Sequence, residues 1–105
     1  MGQARDVAII VSNPDSMQRW TVFFAGRVQG VGFRYTAQRI AGSYAVKGYV
    51  RNLADGRVEL VCEGIEHQLS EFVARIQEVM TENIGSVDVH KSSFTDEFEE
   101  FDVRF

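Results

Sequence analysis

The sequence has few features that would allow disulfide cross-links or membrane insertion. Its 105 residues include one cysteine, Cys62, and a single thiol excludes a disulfide framework. The most conspicuous apolar run near the start, Val7 to Val11, is too short for the hydrophobic region of a signal peptide or for a membrane span. We therefore expect a cytoplasmic protein with no membrane partner.

Positive charge is also scarce. The chain has 11 Lys and Arg against 15 Asp and Glu, a net charge of −4, which makes nucleic acid an unfavourable partner. Lys47-Gly48-Tyr49 resembles the start of an RNA-binding signature, but the aromatic pattern does not continue after Tyr49. His67 and His90 lack metal-ligand spacing with Cys62, so we predict neither a metal site nor a cofactor.

The spacing of apolar residues predicts one α+β domain. Residues 20–25 are dense in β-formers and predict a strand, which is ended by the glycines between Gly26 and Gly32. From Phe33 onward the spacing changes to that of a helix, with Gly42 inside it, and residues 69–80 predict a second amphipathic helix. The predicted inner faces consist of Phe33, Ala37, Ile40, Ala41 and Tyr44, and of Leu69, Phe72, Val73, Ile76 and Met80.

Two more strands are predicted around Val87 and Val103, and we allow them to be adjacent parts of one irregular C-terminal segment. The simplest architecture is a ferredoxin-like βαββαβ sandwich, an antiparallel sheet with two helices on one face. The predicted domain covers residues 19–105. Residues 1–18 form an N-terminal extension, either flexible or adding an edge strand near residues 7–11, and Met17 is a candidate for the true first residue.

Between the two helices, Val46 to Leu53 and Arg57 to Glu63 predict the second and third strands, joined as a hairpin around Asp55-Gly56. Charge pairing selects the register of this hairpin. A two-residue Asp-Gly turn would place Arg51 opposite Leu60, on the core face. A three-residue loop over residues 54–56, with Gly56 left-handed, instead sets Arg51 opposite Glu59 on the solvent face, where opposite charges attract. We predict the three-residue loop. Its cross-strand pairs are Lys47 with Glu63, Val50 with Leu60, Arg51 with Glu59, and Asn52 with Val58, so that Asn52 points toward the helices.

The segment Gly26 to Arg34, with the sequence GRVQGVGFR, joins the first strand to the first helix. Glycines permit positive φ angles, and the amides of such a turn form an anion cradle with the free N–H groups of the helix start. Arg34 lies in the first helical turn, where a cation is unfavourable beside the positive end of the helix dipole. A bound phosphate removes that conflict. Two interpretations stay open from these residues alone: a phosphate site, or a tight turn with a solvated arginine.

This segment is similar to the signature of the acylphosphatases, and GYVRNLADG at residues 48–56 resembles the second motif of the same family. The resemblance covers residues 19–105. It implies metal-independent hydrolysis of an acyl phosphate to a carboxylate and inorganic phosphate, and a ferredoxin-like fold. It further implies that the phosphoryl group is held by the Arg34 side chain and by the loop amides of Gln29, Gly30, Val31, Gly32, Phe33 and Arg34.

The same resemblance implies that Asn52 orients the attacking water, although Asn52 taken alone is interpreted as a cap of the hairpin. Phosphate or sulfate is expected as a product-like ligand, and the chain is expected to act as a monomer. Two other functions are retained as alternatives. One is a non-catalytic ferredoxin-like module that binds an anion or a partner protein, and the other is an RNA-binding domain, which the net charge disfavours.

Overall fold

The computed structural model describes residues 16–105, which form five strands and two helices. In chain order these are β1 (Met17–Gly26), α1 (Phe33–Ala41), β2 (Lys47–Asn52), β3 (Val58–Ile65), α2 (Glu66–Val79), β4 (Ile84–Ser93) and β5 (Phe101–Arg104). The predicted domain boundary at residue 19 falls inside β1. The added edge strand or flexible tail proposed near residues 7–11 lies outside the described residues.

The five strands form one sheet in the order β4-β1-β3-β2-β5. The pairs β1–β4, β1–β3 and β2–β3 are antiparallel, which confirms the α+β, ferredoxin-like prediction. Two details differ from the sequence prediction. β5 pairs with β2 in the parallel sense, so the sheet is mixed, and β4 and β5 lie at opposite edges rather than side by side.

The segment between β4 and β5 explains why these strands are separated. The Thr95 and Asp96 N–H groups each donate to Glu63 of β3, at 2.9 Å. Further along, the carbonyl of Glu100 accepts a 3.0 Å hydrogen bond from the Gly48 N–H of β2. The chain therefore crosses the face of the sheet away from the helices before it reaches the β2 edge.

The β2–β3 hairpin has the predicted register. Arg51 is opposite Glu59 and Asn52 is opposite Val58, as the three-residue loop requires. Gly56 has a φ of 96°, a left-handed conformation that glycine adopts without strain. The Arg51 Nε donates to Glu59 Oε1 at 2.6 Å, so the charge pair that selected this register is formed.

Both helices pack on one face of the sheet through the predicted apolar residues. α1 buries Phe33, Ala37, Ile40 and Ala41, and α2 buries Leu69, Phe72, Val73 and Ile76. The predicted extension of the first helix through Gly42 is wrong, because α1 ends at Ala41 and Gly42 is its C-cap. Tyr44 still reaches the core from beyond the helix end, with its ring 6.0 Å from that of Phe72.

Cys62 lies in this core and has no solvent exposure. Burial raises the pKa of its thiol to about 12, because the thiolate would lose its hydration there. The cysteine is therefore an unreactive packing residue.

Candidate active site

The loop between β1 and α1 depends on two glycines for its shape. Gly30 and Gly32 both have a φ of 77°, in the left-handed region. A Cβ atom at either position would meet no other atom within 4 Å, so backbone conformation rather than space requires glycine there. Val28 precedes them and is fully buried, which anchors the start of the loop in the core. The loop is thus held at one end and turned sharply at two points.

The loop leads directly into the positive end of α1. Gly32 is the N-cap residue in a left-handed conformation, no side chain from residues 16–105 caps the helix, and the first turn contains no acidic residue. The Gly32 carbonyl accepts the Thr36 N–H at 3.0 Å, which starts the helical hydrogen bonding. The N–H groups of the first turn therefore have no side-chain acceptor in the described part of the chain, and the helix dipole favours an anion at this point.

Arg34 is placed at this positive helix end without a carboxylate partner among residues 16–105. Its Nη1 donates to the backbone carbonyl of Arg104 at 3.0 Å, and its Cζ lies 4.7 Å from the ring centroid of Phe105. These contacts orient the guanidinium while leaving its charge unneutralised. A guanidinium has five N–H donors in a fixed plane, so several remain for a ligand.

Asn52 faces the same cavity as Arg34. The cavity has a volume of about 160 Å³ and is lined by Val28, Gly30, Gly32, Phe33, Arg34, Tyr35 and Asn52. Asn52 ends β2 and is half-buried, and its side-chain amide has no hydrogen-bond partner within residues 16–105. The structure therefore brings the two predicted catalytic residues together with the loop.

Other groups, rather than Asn52, close the hairpin. The Gly56 N–H donates to the Leu53 carbonyl at 3.2 Å, and the Arg57 N–H donates to Asp55 Oδ1 at 3.1 Å. The interpretation of Asn52 as a hairpin cap thus receives no support from the contacts. Its amide is left with both a donor and an acceptor for a small molecule in the cavity.

Gln29 was predicted as part of the loop through its backbone amide, but its side chain has a connection that the sequence did not indicate. Its Nε2 donates to the Leu53 carbonyl at 2.8 Å and to the Arg57 carbonyl at 2.9 Å. Gln29 thereby joins the loop to the hairpin that carries Asn52. Tyr35 was also missed as a cavity residue, because its place in the helical pattern indicated only a solvent-facing position.

The histidines do not contribute to a metal site in the part of the chain that the structure describes. His67 Nε2 lies 3.1 Å from Glu71, and His90 Nε2 lies 3.1 Å from Asp88. Residues 16–105 contain no group of three or more His, Cys, Asp or Glu side chains able to hold an ion. In the same residues, neither helix has the length and apolar character needed to cross a membrane.

Comparison with known proteins identifies close similarity over nearly all of this domain. The family model described as Acylphosphatase matches residues 20–103. An acylphosphatase of Methylococcus capsulatus is 42% identical over 88 residues, covering 83% of this chain and 96% of that protein. An acylphosphatase of Bacillus licheniformis is 37% identical over 90 residues, covering 85% of this chain and all of that protein. The crystal structure of an acylphosphatase from Bacillus subtilis is similar with a TM-score of 0.75 and 31% identity, covering 84% of this chain and 99% of that one.

Proposed function

The chain belongs to the acylphosphatase family, and from that premise we propose how its own residues hydrolyse the carboxyl–phosphate anhydride of an acyl phosphate. The enzyme class and the small-molecule acyl phosphate substrate follow from the family. The residue roles are the proposal. The observation that carries them is that Arg34 and Asn52 line one small cavity with the loop, each with unused hydrogen-bonding capacity.

The loop and Arg34 hold the phosphoryl group. Backbone amides from Gln29 to Arg34 and the start of α1 donate to the phosphoryl oxygens, and the Arg34 guanidinium adds charge-assisted hydrogen bonds. Support comes from the left-handed turns at Gly30 and Gly32 and from the lack of an acidic residue in the first turn of α1. Phosphoryl transfer needs mainly positioning and charge stabilisation, and this arrangement supplies both.

Asn52 orients the attacking water. The water oxygen attacks phosphorus in line with the bond between phosphorus and the acyl oxygen, and that bond breaks to release a carboxylate. Among residues 16–105, those that line the cavity include no carboxylate or imidazole to act as a general base. The proton of the water therefore passes to an oxygen of the phosphoryl group itself. A dianionic acyl phosphate then gives the carboxylate and dihydrogen phosphate, which can release a proton to solvent afterwards.

Several finer expectations belong to the same proposal. Inorganic phosphate and sulfate bind the loop as product-like ligands, and one chain forms the complete site, since Arg34, Asn52 and the loop all come from it. The reaction proceeds in the cytoplasm without a metal or cofactor.

The test is the hydrolysis of an acyl phosphate by wild type and Asn52→Ala, both after exhaustive EDTA treatment. We expect wild-type turnover to survive EDTA. Asn52→Ala should lower kcat by about 10²-fold, as removal of one positioned hydrogen-bonding group does elsewhere, while the inhibition constant of phosphate stays within about 3-fold. A folded Asn52→Ala variant with wild-type kcat would remove the water-positioning group from the mechanism. Activity that is lost in EDTA and returns with Mg²⁺ or Zn²⁺ would contradict the metal-free proposal.

A further inference from the structure

We propose that Gln29 is a positioning residue that sets the distance between the phosphate-binding loop and Asn52. The inference rests on the proposed function, because it concerns how the two halves of that site are held together. Gln29 is assigned no contact with the reacting atoms through its side chain. It acts through the β2–β3 hairpin.

The two hydrogen bonds of Gln29 define which atom is needed. Both acceptors, the carbonyls of Leu53 and Arg57, are oxygens without a proton to donate. Only the amide nitrogen can therefore satisfy them, and it uses both of its N–H groups. A side chain of similar length without these donors loses both bonds.

The two acceptors flank Asn52 and its partner in the hairpin. Leu53 directly follows Asn52, and Arg57 directly precedes Val58, the residue opposite Asn52. Leu53 and Arg57 are themselves joined by a 2.8 Å hydrogen bond from the Leu53 N–H to the Arg57 carbonyl. Gln29 thus binds the hairpin on both sides of its turn, at the residues next to the Asn52–Val58 pair.

Gln29 makes the hydrogen bonds that connect the phosphate-binding loop to the hairpin. Within residues 16–105, the Gln29 bonds are the only hydrogen bonds between the loop residues 27–32 and the hairpin residues 52–58. The shape of the loop has other determinants, namely buried Val28 and the left-handed Gly30 and Gly32. Loss of the Gln29 amide should therefore leave the loop able to hold phosphate but let the hairpin move relative to it.

A small displacement matters for the chemistry but much less for ligand binding. The attacking water must approach in line with the breaking bond, and a misplacement of about 1 Å can cost about 10²-fold in rate. Phosphate binding relies on Arg34 and on the backbone amides of the loop, including that of Gln29, and not on the side-chain amide of Gln29, which donates to the hairpin. The expected signature is a fall in kcat with little change in phosphate affinity.

The experiment is a double-mutant cycle of Gln29→Met and Asn52→Ala, assayed for acyl phosphate hydrolysis and for inhibition by inorganic phosphate. Methionine keeps the side-chain length and removes the donors. In wild type, Gln29→Met should lower kcat about 10-fold and leave the phosphate inhibition constant within about 3-fold. In Asn52→Ala it should lower kcat by less than about 2-fold more, because the group it positions is already absent.

Gln38→Met is the matched control. The Gln38 amide also donates to a backbone carbonyl, that of Phe101 at 3.4 Å, but that acceptor is on β5 rather than on the hairpin. This variant should keep kcat within about 2-fold of wild type. Melting curves establish that each variant is folded. If Gln29→Met does not fold, Gln29→Asn carries the same cycle, since its shorter amide cannot reach both carbonyls.

Three results would overturn the inference. One is a wild-type kcat in Gln29→Met, and another is the same fold-loss in both backgrounds, which would mean that Gln29 acts independently of Asn52. The third is a full-strength effect of Gln38→Met. A different result, in which Asn52→Ala itself retains wild-type kcat, would remove the role proposed for Asn52 and with it the role of Gln29. Failure of the proposed function can therefore be distinguished from failure of the Gln29 inference alone.

Discussion

Two arginines at opposite ends of the β1–β3 pair have contrasting surroundings. Arg19 near the start of β1 binds two carboxylates, with its Nε 2.9 Å from Glu63 and its Nη2 2.6 Å from Glu97. Arg34, beyond the other end of β1, contacts one backbone carbonyl and one ring, and has no carboxylate partner within residues 16–105. The charge of Arg19 is paired within the protein, whereas the charge of Arg34 is not paired with a carboxylate in that part of the chain.

Glu63 stabilises the end of the sheet at which Arg19 lies. Its carboxylate is nearly inaccessible to solvent and accepts hydrogen bonds from Arg19 Nε, the Thr95 hydroxyl, and the N–H groups of Thr95 and Asp96. Burial raises the pKa of Glu63, but these hydrogen bonds outweigh burial and leave the pKa below its ordinary value. This cluster fastens the segment between β4 and β5 onto the sheet.

Among these variants, Arg34→Ala is expected to have the largest effect on activity. Removing the unneutralised cation should lower kcat/KM for an acyl phosphate by about 10³-fold, because it weakens phosphoryl binding and transition-state stabilisation together. Arg34→Lys should recover only part, since a point charge does not reproduce the planar fork.

Arg39→Ala is the matched control for that prediction, because Arg39 is an exposed cation on the same helix, in its last turn. Its kcat/KM is expected within about 2-fold of wild type. An Arg34→Ala enzyme that retains more than about a tenth of wild-type kcat/KM would contradict the assignment, provided that circular dichroism shows it folded.

At the other end of the sheet, Glu63→Gln should affect stability rather than catalysis. The free energy of unfolding should fall by about 1–3 kcal/mol, because Arg19 loses a buried charged partner and two N–H donors lose a carboxylate acceptor. Urea unfolding measures this loss, and kcat should stay within about 2-fold.

Glu59→Gln provides the comparison, since Glu59 pairs with the exposed Arg51 on the same sheet face. That variant should cost less than about 1 kcal/mol. Two results would contradict a purely stabilising role of Glu63. One is an equal loss of unfolding free energy in the two variants, and the other is a large fall in kcat in Glu63→Gln.

The lowered pKa of Glu63 also predicts how stability depends on pH. The folded pKa lies below the ordinary value of 4.5, so the contribution of Glu63 is fully present above about pH 5 and is lost as the pH falls through the lowered folded pKa. The difference in unfolding free energy between wild type and Glu63→Gln should be constant near neutral pH and shrink in acid. Urea titrations at a series of pH values check this. A difference that stays constant down to about pH 2 would mean that the Glu63 carboxylate is not its source.

The smallest effect is expected from removing residues 1–15. Ser16 is worth keeping, because its carbonyl accepts the Glu66 N–H at 3.0 Å, and β1 begins at Met17. A chain that begins at Ser16 should have kcat within about 2-fold of the full chain, since Arg34, Asn52 and the loop between β1 and α1 are retained. A folded but inactive truncated protein would place the N-terminal segment in the site.

The hairpin register is predicted correctly, and the candidate site residues can be chosen from the sequence, because each has a local signal. The register follows from the opposite charges of Arg51 and Glu59 and from the turn glycine Gly56, all within nine residues. Arg34 is conspicuous because a cation at the start of a helix is unfavourable without a ligand. Asn52 is identified by its motif, and the register then places it on the helix side of the sheet.

The parts that the sequence does not predict depend on contacts between distant segments. β5 has four residues, and the alternation of Phe101 and Val103 is the same whichever edge it joins and in whichever direction. The acidic segment after β4 has no local pattern that predicts a contact. Even so, Glu97 binds Arg19, and the N–H of Asp96 donates to Glu63. Lys47 was the predicted partner of Glu63, and the register is correct, but the neighbouring strand supplies Arg19 instead.

The most direct test of the contrast between Arg34 and Arg19 is the affinity of inorganic phosphate, measured from its effect on thermal stability. In wild type and in Asn52→Ala, phosphate at about 10–100 times its dissociation constant should stabilise the fold by about 1–3 kcal/mol. In Arg34→Ala the same concentrations should give little or no stabilisation, because the cation that the protein leaves unneutralised is gone. An Arg34→Ala variant stabilised by phosphate as strongly as wild type would contradict the account, since the anion would then bind somewhere other than this loop.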